Sequence, residues 1–325
     1  MKKGVLILGN GFDLDLGLKT SYSDFMDSDN FKAIADNNNF AYYLQSKRAI
    51  IGDNWIDIEN EIKEYLNIPQ NNFYKDMLKS SSFEQDYYNI ITALTSYLSN
   101  IDYSSIDLTS SAAKILKSVI INGYFDILSF NYTDLTKIAS QLHFTKHMIA
   151  SKRINAKSFV NHIHGSVKDN NIILGVEDEA TIEDDYCYVI KSMSPHFKSN
   201  NVREALANSD IIIFFGHSLG ETDYLYFNEF FSLQSRVNNQ NPNNKYIRLF
   251  TKNESSRLDL MKRLRKMNKK QISLLIDSDN FKVYRTESDS DEIIEVINYL
   301  KNNSKEIDEN NNQEMIRQLE RFIVG

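Results

Sequence analysis

Gly4-Val-Leu-Ile-Leu-Gly-Asn-Gly-Phe-Asp-Leu-Asp-Leu-Gly17-Leu-Lys-Thr-Ser-Tyr-Ser-Asp24 is the stretch that decides how this chain folds. Val5 to Leu8 is a short, unbroken apolar run, the pattern of a strand buried on both faces, and it stops at Gly9-Asn10-Gly11. Ligands of parallel sheets sit beyond the carboxyl ends of the strands, and a glycine turn there removes the Cβ atoms that hold a pyrophosphate away from backbone N–H groups. The spacing matches neither standard phosphate motif. Leu14 stands where the dinucleotide fingerprint has its third glycine, and Gly11 to Gly17-Leu18-Lys19-Thr20 misses both spacings of a P-loop. A plain strand-to-helix turn therefore remains an alternative reading of the stretch.

At 325 residues, 42% hydrophobic and 25% charged, the chain can bury one large core with an insertion, or two smaller ones. The net charge of −7 disfavours a dedicated nucleic-acid binder, which needs a basic face. The amino terminus runs straight into the first strand with no signal-peptide core, and no apolar stretch is long enough to span a bilayer. The expectation is a cytoplasmic protein without a membrane partner. Cys187 is the only cysteine, which excludes an intrachain disulfide and a four-cysteine zinc module.

Downstream of Thr20-Ser21-Tyr22-Ser23-Asp24, a run of helix-starting residues, the patterns stay helical to about Asn122. Phe31 to Ile51, Trp55 to Leu66, Phe73 to Leu78, Phe83 to Leu98 and Ser110 to Ile121 all repeat apolar residues at three- and four-residue spacing. That is too much helix for a simple crossover. It predicts a helical insertion over 25–122 that forms one wall of a cleft. The rest, 1–24 with 123–300, predicts an α/β nucleotide-binding domain, and 301–325 a polar linker with a terminal helix.

Further strands are expected at Phe125–Phe130, Phe159–Ile163, Asn171–Val176, Asp210–Phe215, Lys245–Phe250 and Phe281–Arg285. Helices are expected at Asp134–Leu142, Asn201–Asn208, Asp223–Leu233, Arg257–Met267 and Asp291–Leu300, and the acidic run Glu177–Asp185 reads as a solvated loop. The fold class is α/β, with a mostly parallel, Rossmann-like sheet flanked by helices and a large all-helical insertion after the first strand.

Four of these strands end in small polar groups: Gly9-Asn10-Gly11, Asn131, His164-Gly165 and Gly216-His217-Ser218. In a parallel sheet all four ends point the same way, so the groups converge on one edge. Each also has a plainer explanation. Asn131 suits a helix N-cap, His164 a hydrogen-bonded interior histidine, and Gly216 and Ser218 a turn.

The ordered motifs Gly9-Asn-Gly11, Phe130-Asn-Tyr-Thr-Asp134, Ile163-His-Gly165 and Gly216-His-Ser-Leu-Gly-Glu-Thr-Asp223 resemble the abortive-infection phage-resistance family AbiH. Leu8-Gly-Asn-Gly-Phe-Asp-Leu14, Thr20-Ser-Tyr-Ser-Asp-Phe25 and Trp55-Ile-Asp-Ile-Glu59 are the most similar pieces. That family is similar in turn to the sirtuin-like (SIR2-like) NAD-binding proteins. The resemblance implies pyrophosphate contacts at Gly9, Asn10 and Gly11, a ribose-facing Asn131, a catalytic base at His164, and adenosine contacts at Gly216 and Ser218. Phe12, Ser21, Tyr22, Gly165, His217 and Asp223 complete the implied cofactor-binding set. Sirtuin deacylases have Gly-Ala-Gly-Ile-Ser where this chain has Asn10 and Asp13, and they carry a cysteine zinc module that it lacks.

The expectation is therefore NAD as a substrate, hydrolysed without a metal at the nicotinamide–ribose bond, with a homo-oligomer or activating partner keeping the enzyme silent until triggered. Such a reaction passes through an oxocarbenium-like state and needs a positioned water and a base. Asn131 and His164 fill those roles, and Asp13 stabilises positive charge developing on the ribose. The alternatives are a non-catalytic sensor of NAD or ADP-ribose and an RNA-directed effector. Glu59 reaches the cleft only if the helical wall folds over the sheet edge. His162 alternates with His164 and points to the opposite face. His143 and His147 have i, i+4 spacing without an intervening Glu. They read as a surface helix end, as His196 reads as loop. The basic stretch Arg257 to Lys270 reads as a solvated face or a partner contact.

Overall fold

In the computed structural model, the residues described are 2–51, 57–67, 83–122, 125–144, 160–197, 202–234, 245–269, 271–276 and 279–303. The helix expected at Phe73–Leu78, Trp55, His147, the loop Asn238–Asn244 and the terminus beyond 303 lie outside them.

Six strands form one sheet: β1 (Gly4–Leu8), β2 (Phe125–Ser129), β3 (Asn161–His162), β4 (Ile211–Phe215), β5 (Tyr246–Thr251) and β6 (Phe281–Arg285). Their order is β3-β2-β1-β4-β5-β6, and every pairing is parallel. This is a Rossmann-like sheet. The strand order reverses at β1, and the crevice at that reversal is where such sheets bind ligands. Register brings the carboxyl ends level, with Leu8 beside Ser129 on one side and Phe215 on the other.

Both faces of the central strands are buried, which is why they read as unbroken apolar runs. Leu6, Leu8, Ile127, Ile213 and Phe215 point to one face, where they pack with helices Ser111–Asn122, Leu135–Gln141 and Ser290–Asn303. Val5, Ile7, Leu128, Ile212 and Phe214 point to the other, against Val202–Asn208, Tyr224–Gln234 and Glu254–Met267.

The helical segment after β1 has a core of its own. Phe25, Phe31, Phe40, Leu44, Ile62, Tyr65 and Phe83 form a separate cluster, with Phe40 and Tyr65 rings 5.1 Å apart. Helix Ser111–Asn122, within the 25–122 span, packs on the sheet instead, as a crossover helix must. The single helix expected over Phe31–Ile51 is two, Asp29–Ala35 and Asn39–Ile51. Asn38 Oδ1 accepts the Ala41 N–H at 2.7 Å and restarts the helix, a capping role for which asparagine is well suited.

Asn171–Val176 is not a ladder strand: its one β contact is an isolated bridge from Val176 to Ile190. Ile172, Leu174 and Val176 pack into the helical lobe's core, so burial against helices overrides the sheet. A 3-10 turn, Asp184–Val189, begins at the end of the Glu177–Asp185 stretch read as loop, a second follows at Lys191–Met193, and Ile272–Ile276 is a short helix that the patterns do not reveal.

Candidate functional site

The two glycine turns at the crevice pack backbone against backbone. Gly9 N–H donates to the Phe215 carbonyl (3.0 Å), Gly11 N–H to the Gly216 carbonyl (2.9 Å) and Phe12 N–H to the Gly9 carbonyl (2.8 Å). A Cβ on Gly11 would lie 2.7 Å from Gly216 Cα, and one on Gly216, at φ +64°, would lie 2.2 Å from the Phe12 nitrogen. These glycines are therefore required by the close approach of β1 and β4 themselves. Phe12 turns into the core, edge-on to Phe215 with centroids 5.7 Å apart.

Over these turns lies a cavity of about 310 Å³, near the lower end of ligand pockets. Gly9, Asn10, Asp13, Ser21, Tyr22, Asn131, His164, Gly216, His217, Ser218 and Asp223 line it, so the sheet edge does gather most of the expected site residues. Gly11, Phe12 and Gly165 do not. Gly165 serves its own turn, at φ +76° and pressed against the Asn171 carbonyl. Ser21 caps helix Tyr22–Asp27 in a capping box with Asp24.

Asn131 is not the cap of the helix that follows it; Asp134 is, accepting the Thr136 N–H at 2.9 Å. Asn131 Nδ2 instead donates to the Gly9 carbonyl at 3.0 Å, tying the end of β2 to the β1 turn. His162 is part-buried on the other side of its strand, with Nδ1 3.0 Å from the Asn131 carbonyl. His196 lies in a turn and His143 just past a helix end, at φ +68°.

His164, His217 and Asp223 meet. His164 Nε2 lies 2.8 Å from Asp223 Oδ1, and His217 Nε2 lies 3.5 Å from Asp223 Oδ2. The Leu219 N–H donates to His217 Nδ1 at 3.0 Å, so its proton sits on Nε2, facing the carboxylate. The Phe130 ring stands edge-on to both imidazoles, with centroids 5.3 Å from His164 and 4.5 Å from His217. Burial works to raise the Asp223 carboxyl, but Lys191 and the imidazoles outweigh it and hold it well below the usual carboxylate range.

The helical lobe closes the other side. Glu59, on helix Ile58–Leu66, is buried and lines the cavity beside Asp57, which caps that helix. Tyr132 Oη lies 3.3 Å from Glu59 Oε1. Lys191, only 4% exposed, bonds to Glu59 Oε2 at 3.0 Å and Asp223 Oδ1 at 3.3 Å. Its sequence surroundings give no signal for a buried lysine. Asp57, by contrast, is legible as the polar residue before a helix start.

Asp13 faces the cavity from under the sheet edge. The Thr133 hydroxyl donates to Oδ2 at 2.9 Å, whereas Oδ1 is buried without a hydrogen-bond partner among the described residues. Burial raises the Asp13 carboxyl to about 7, against the weaker lowering by Thr133 and Asn131. Burial and the neighbouring Glu59 raise Asp57 to about 6. The lining thus holds Asp13, Asp57, Glu59 and Asp223, and no lysine or arginine among the described residues. Lys191, behind this wall, offsets Glu59 and Asp223, so the lining carboxylates left to face a positive charge on a ligand are Asp13 and Asp57.

The basic stretch lies outside this cavity, and three of its cations are paired with carboxylates. Arg257 pairs with Glu254, Lys262 with Asp259 and Lys266 with Glu221, while Arg263 donates to the Ser218 carbonyl at 2.7 Å. No described helix is long and apolar enough to cross a membrane. No curated protein matches the chain. A family model described as bacteriophage abortive infection AbiH matches residues 5–241. Since that match takes in every residue lining the cavity, from Gly9 to Asp223, the chain belongs to the AbiH family and has a role in phage abortive infection.

Proposed function

We propose that the protein acts in abortive infection by hydrolysing NAD at the nicotinamide–ribose bond, in the cavity over the β1 and β4 turns. The observation that carries this reading is the meeting of Asn131, the His164–Asp223 pair and Asp13 in one cavity at the reversal of a Rossmann-like sheet. The acidic lining suits the cationic nicotinamide end of NAD, and the remainder of the dinucleotide would lie over Asn10, Ser21 and Ser218 at the rim.

Asp223 takes the Nε2–H of His164, which leaves Nδ1 as the base nitrogen; Nδ1 is buried and has no partner among the described residues, so in this reading the attacking water must enter against it. In this mechanism water attacks the ribose C1′ as the C–N bond breaks, and nicotinamide leaves with the bonding electrons. The proton of the water passes to His164 Nδ1. Asn131 orients the water, and ionised Asp13 stabilises the oxocarbenium-like ribose. Products are nicotinamide, ADP-ribose and a proton. An activity that depletes NAD must be held silent until infection, which calls for an activating partner or an assembly of copies.

Mass spectrometry of a nucleotide panel incubated with purified protein tests this. Nicotinamide should be released from NAD, and His164→Ala and Asn131→Ala should lower that release on the order of 10²-fold or more while the far-UV spectrum is unchanged. Thermal stabilisation by NAD or ADP-ribose with no nicotinamide under any condition would replace the hydrolase with a nucleotide sensor.

A further inference from the structure

Lys191 stands where three parts of the chain meet. Its ammonium lies 3.0 Å from Glu59 Oε2 of the helical lobe, 3.3 Å from Asp223 Oδ1 after β4 and 3.4 Å from His164 Nε2 after β3. Lysine is almost never so deeply buried unless paired, and a methionine would fill comparable space without a desolvation cost. The backbone around it is shaped to place it there. The Val176 N–H donates to the Val189 carbonyl and the Lys191 N–H to the Val176 carbonyl, both at 3.0 Å. That approach requires Gly175, where a Cβ would lie 2.2 Å from the Val189 oxygen.

The distances also fix the protons. His164 Nε2 cannot face the Asp223 carboxylate at 2.8 Å with a lone pair, because two acceptors would repel. Nε2 therefore carries a proton, and the 3.4 Å approach of Lys191 sets two donors side by side on the same oxygen, Asp223 Oδ1.

We propose that Lys191 is the positioning residue of this site: its ammonium ties Glu59 to Asp223 and, through that carboxylate, leaves His164 with its lone pair on Nδ1. The proposal rests on the reading of His164 as the base. The groups around the imidazole are Asp223 and Lys191 at Nε2 and the rings of Phe130 and Tyr226, with Glu59 and His217 one contact further out. Lys191 is the cation that offsets Glu59 and Asp223. Without it, the uncompensated negative charge of Glu59 and Asp223 favours the protonated form of the His164 imidazole that Asp223 touches.

The test is a histidine ¹⁵N NMR titration of the whole protein, with Lys191→Met, Lys191→Arg and Glu59→Gln beside the wild type. In Lys191→Met the His164 midpoint should rise by about one pH unit or more, and Lys191→Arg should return it toward the wild type. Glu59→Gln should move it the other way, since the lysine charge is then less offset; this variant decides the matter if Lys191→Met does not fold. The acid limb of kcat/KM for nicotinamide release should follow the same three shifts. A His164 midpoint unchanged in Lys191→Met, not restored by arginine, or left in place by Glu59→Gln overturns the assignment. Midpoints that move as expected in a wild type unable to release nicotinamide leave Lys191 in its role and remove the hydrolase reading instead.

Discussion

Replacing Asp13 with asparagine should stabilise the protein at neutral and alkaline pH. Asp13 is buried beside the β1 turn, and burial raises its carboxyl from 3.8 to about 7. The folded state therefore holds a proton that the unfolded chain releases near 3.8. Stability from this group is fully present below 3.8 and is lost as pH rises through about 7. A difference of about 3 pH units at 1.36 kcal/mol each makes that loss about 4 kcal/mol at pH 8. The amide of Asp13→Asn would keep the acceptor for Thr133 but would set a buried N–H where Oδ1 has no partner, at a cost of about 1–3 kcal/mol. The net expectation is a gain of about 1–3 kcal/mol at pH 8 that shrinks and reverses toward pH 4. Urea unfolding of both proteins across pH 4–8, compared as a difference at each pH, reads it directly. A difference that does not vary with pH would refute the placement of this carboxyl. The same variant should release nicotinamide more slowly, because asparagine offers the ribose no negative charge.

Gly216→Ala should destabilise by roughly 3 kcal/mol or more in urea unfolding, since the new Cβ adds left-handed strain to a 2.2 Å approach to Phe12; wild-type stability would contradict the packed-turn geometry. Ser21→Ala removes the cap that accepts the Asp24 N–H at 3.0 Å and should cost about 1 kcal/mol by the same measurement; an unchanged stability would contradict the capping box. Calorimetry on His164→Ala should find oxidised NAD bound at least about tenfold more tightly than the reduced form, a difference of about 1.4 kcal/mol. Equal affinities would mean that Asp13 and Asp57 do not face the nicotinamide.

In the basic stretch after β5, Arg257 and Lys262 pair along their own helix and Lys266 pairs with Glu221, while Arg263 braces the β4 turn through the Ser218 carbonyl.

Strand identity was legible where burial on both faces made a run continuously apolar, as in Val5–Leu8 and Ile211–Phe215. The amino-acid pattern also determined that the strand ends carry the polar groups, because in a parallel sheet the chemistry must begin where the apolar run stops. What it left undecided are the features that depend on which distant segments touch. Ile172, Leu174 and Val176 alternate like a strand, yet their partners are helices. Gly9 and Gly11 look like a phosphate turn, but what demands them is the backbone of Gly216 and His217. Lys191 is an ordinary lysine in the linear chain; only the folding of the helical lobe over the sheet edge sets Glu59 and Asp223 around it. Periodicity records whether a side chain leaves water, and charge pairing over 132 residues of separation is recorded nowhere but in the tertiary structure.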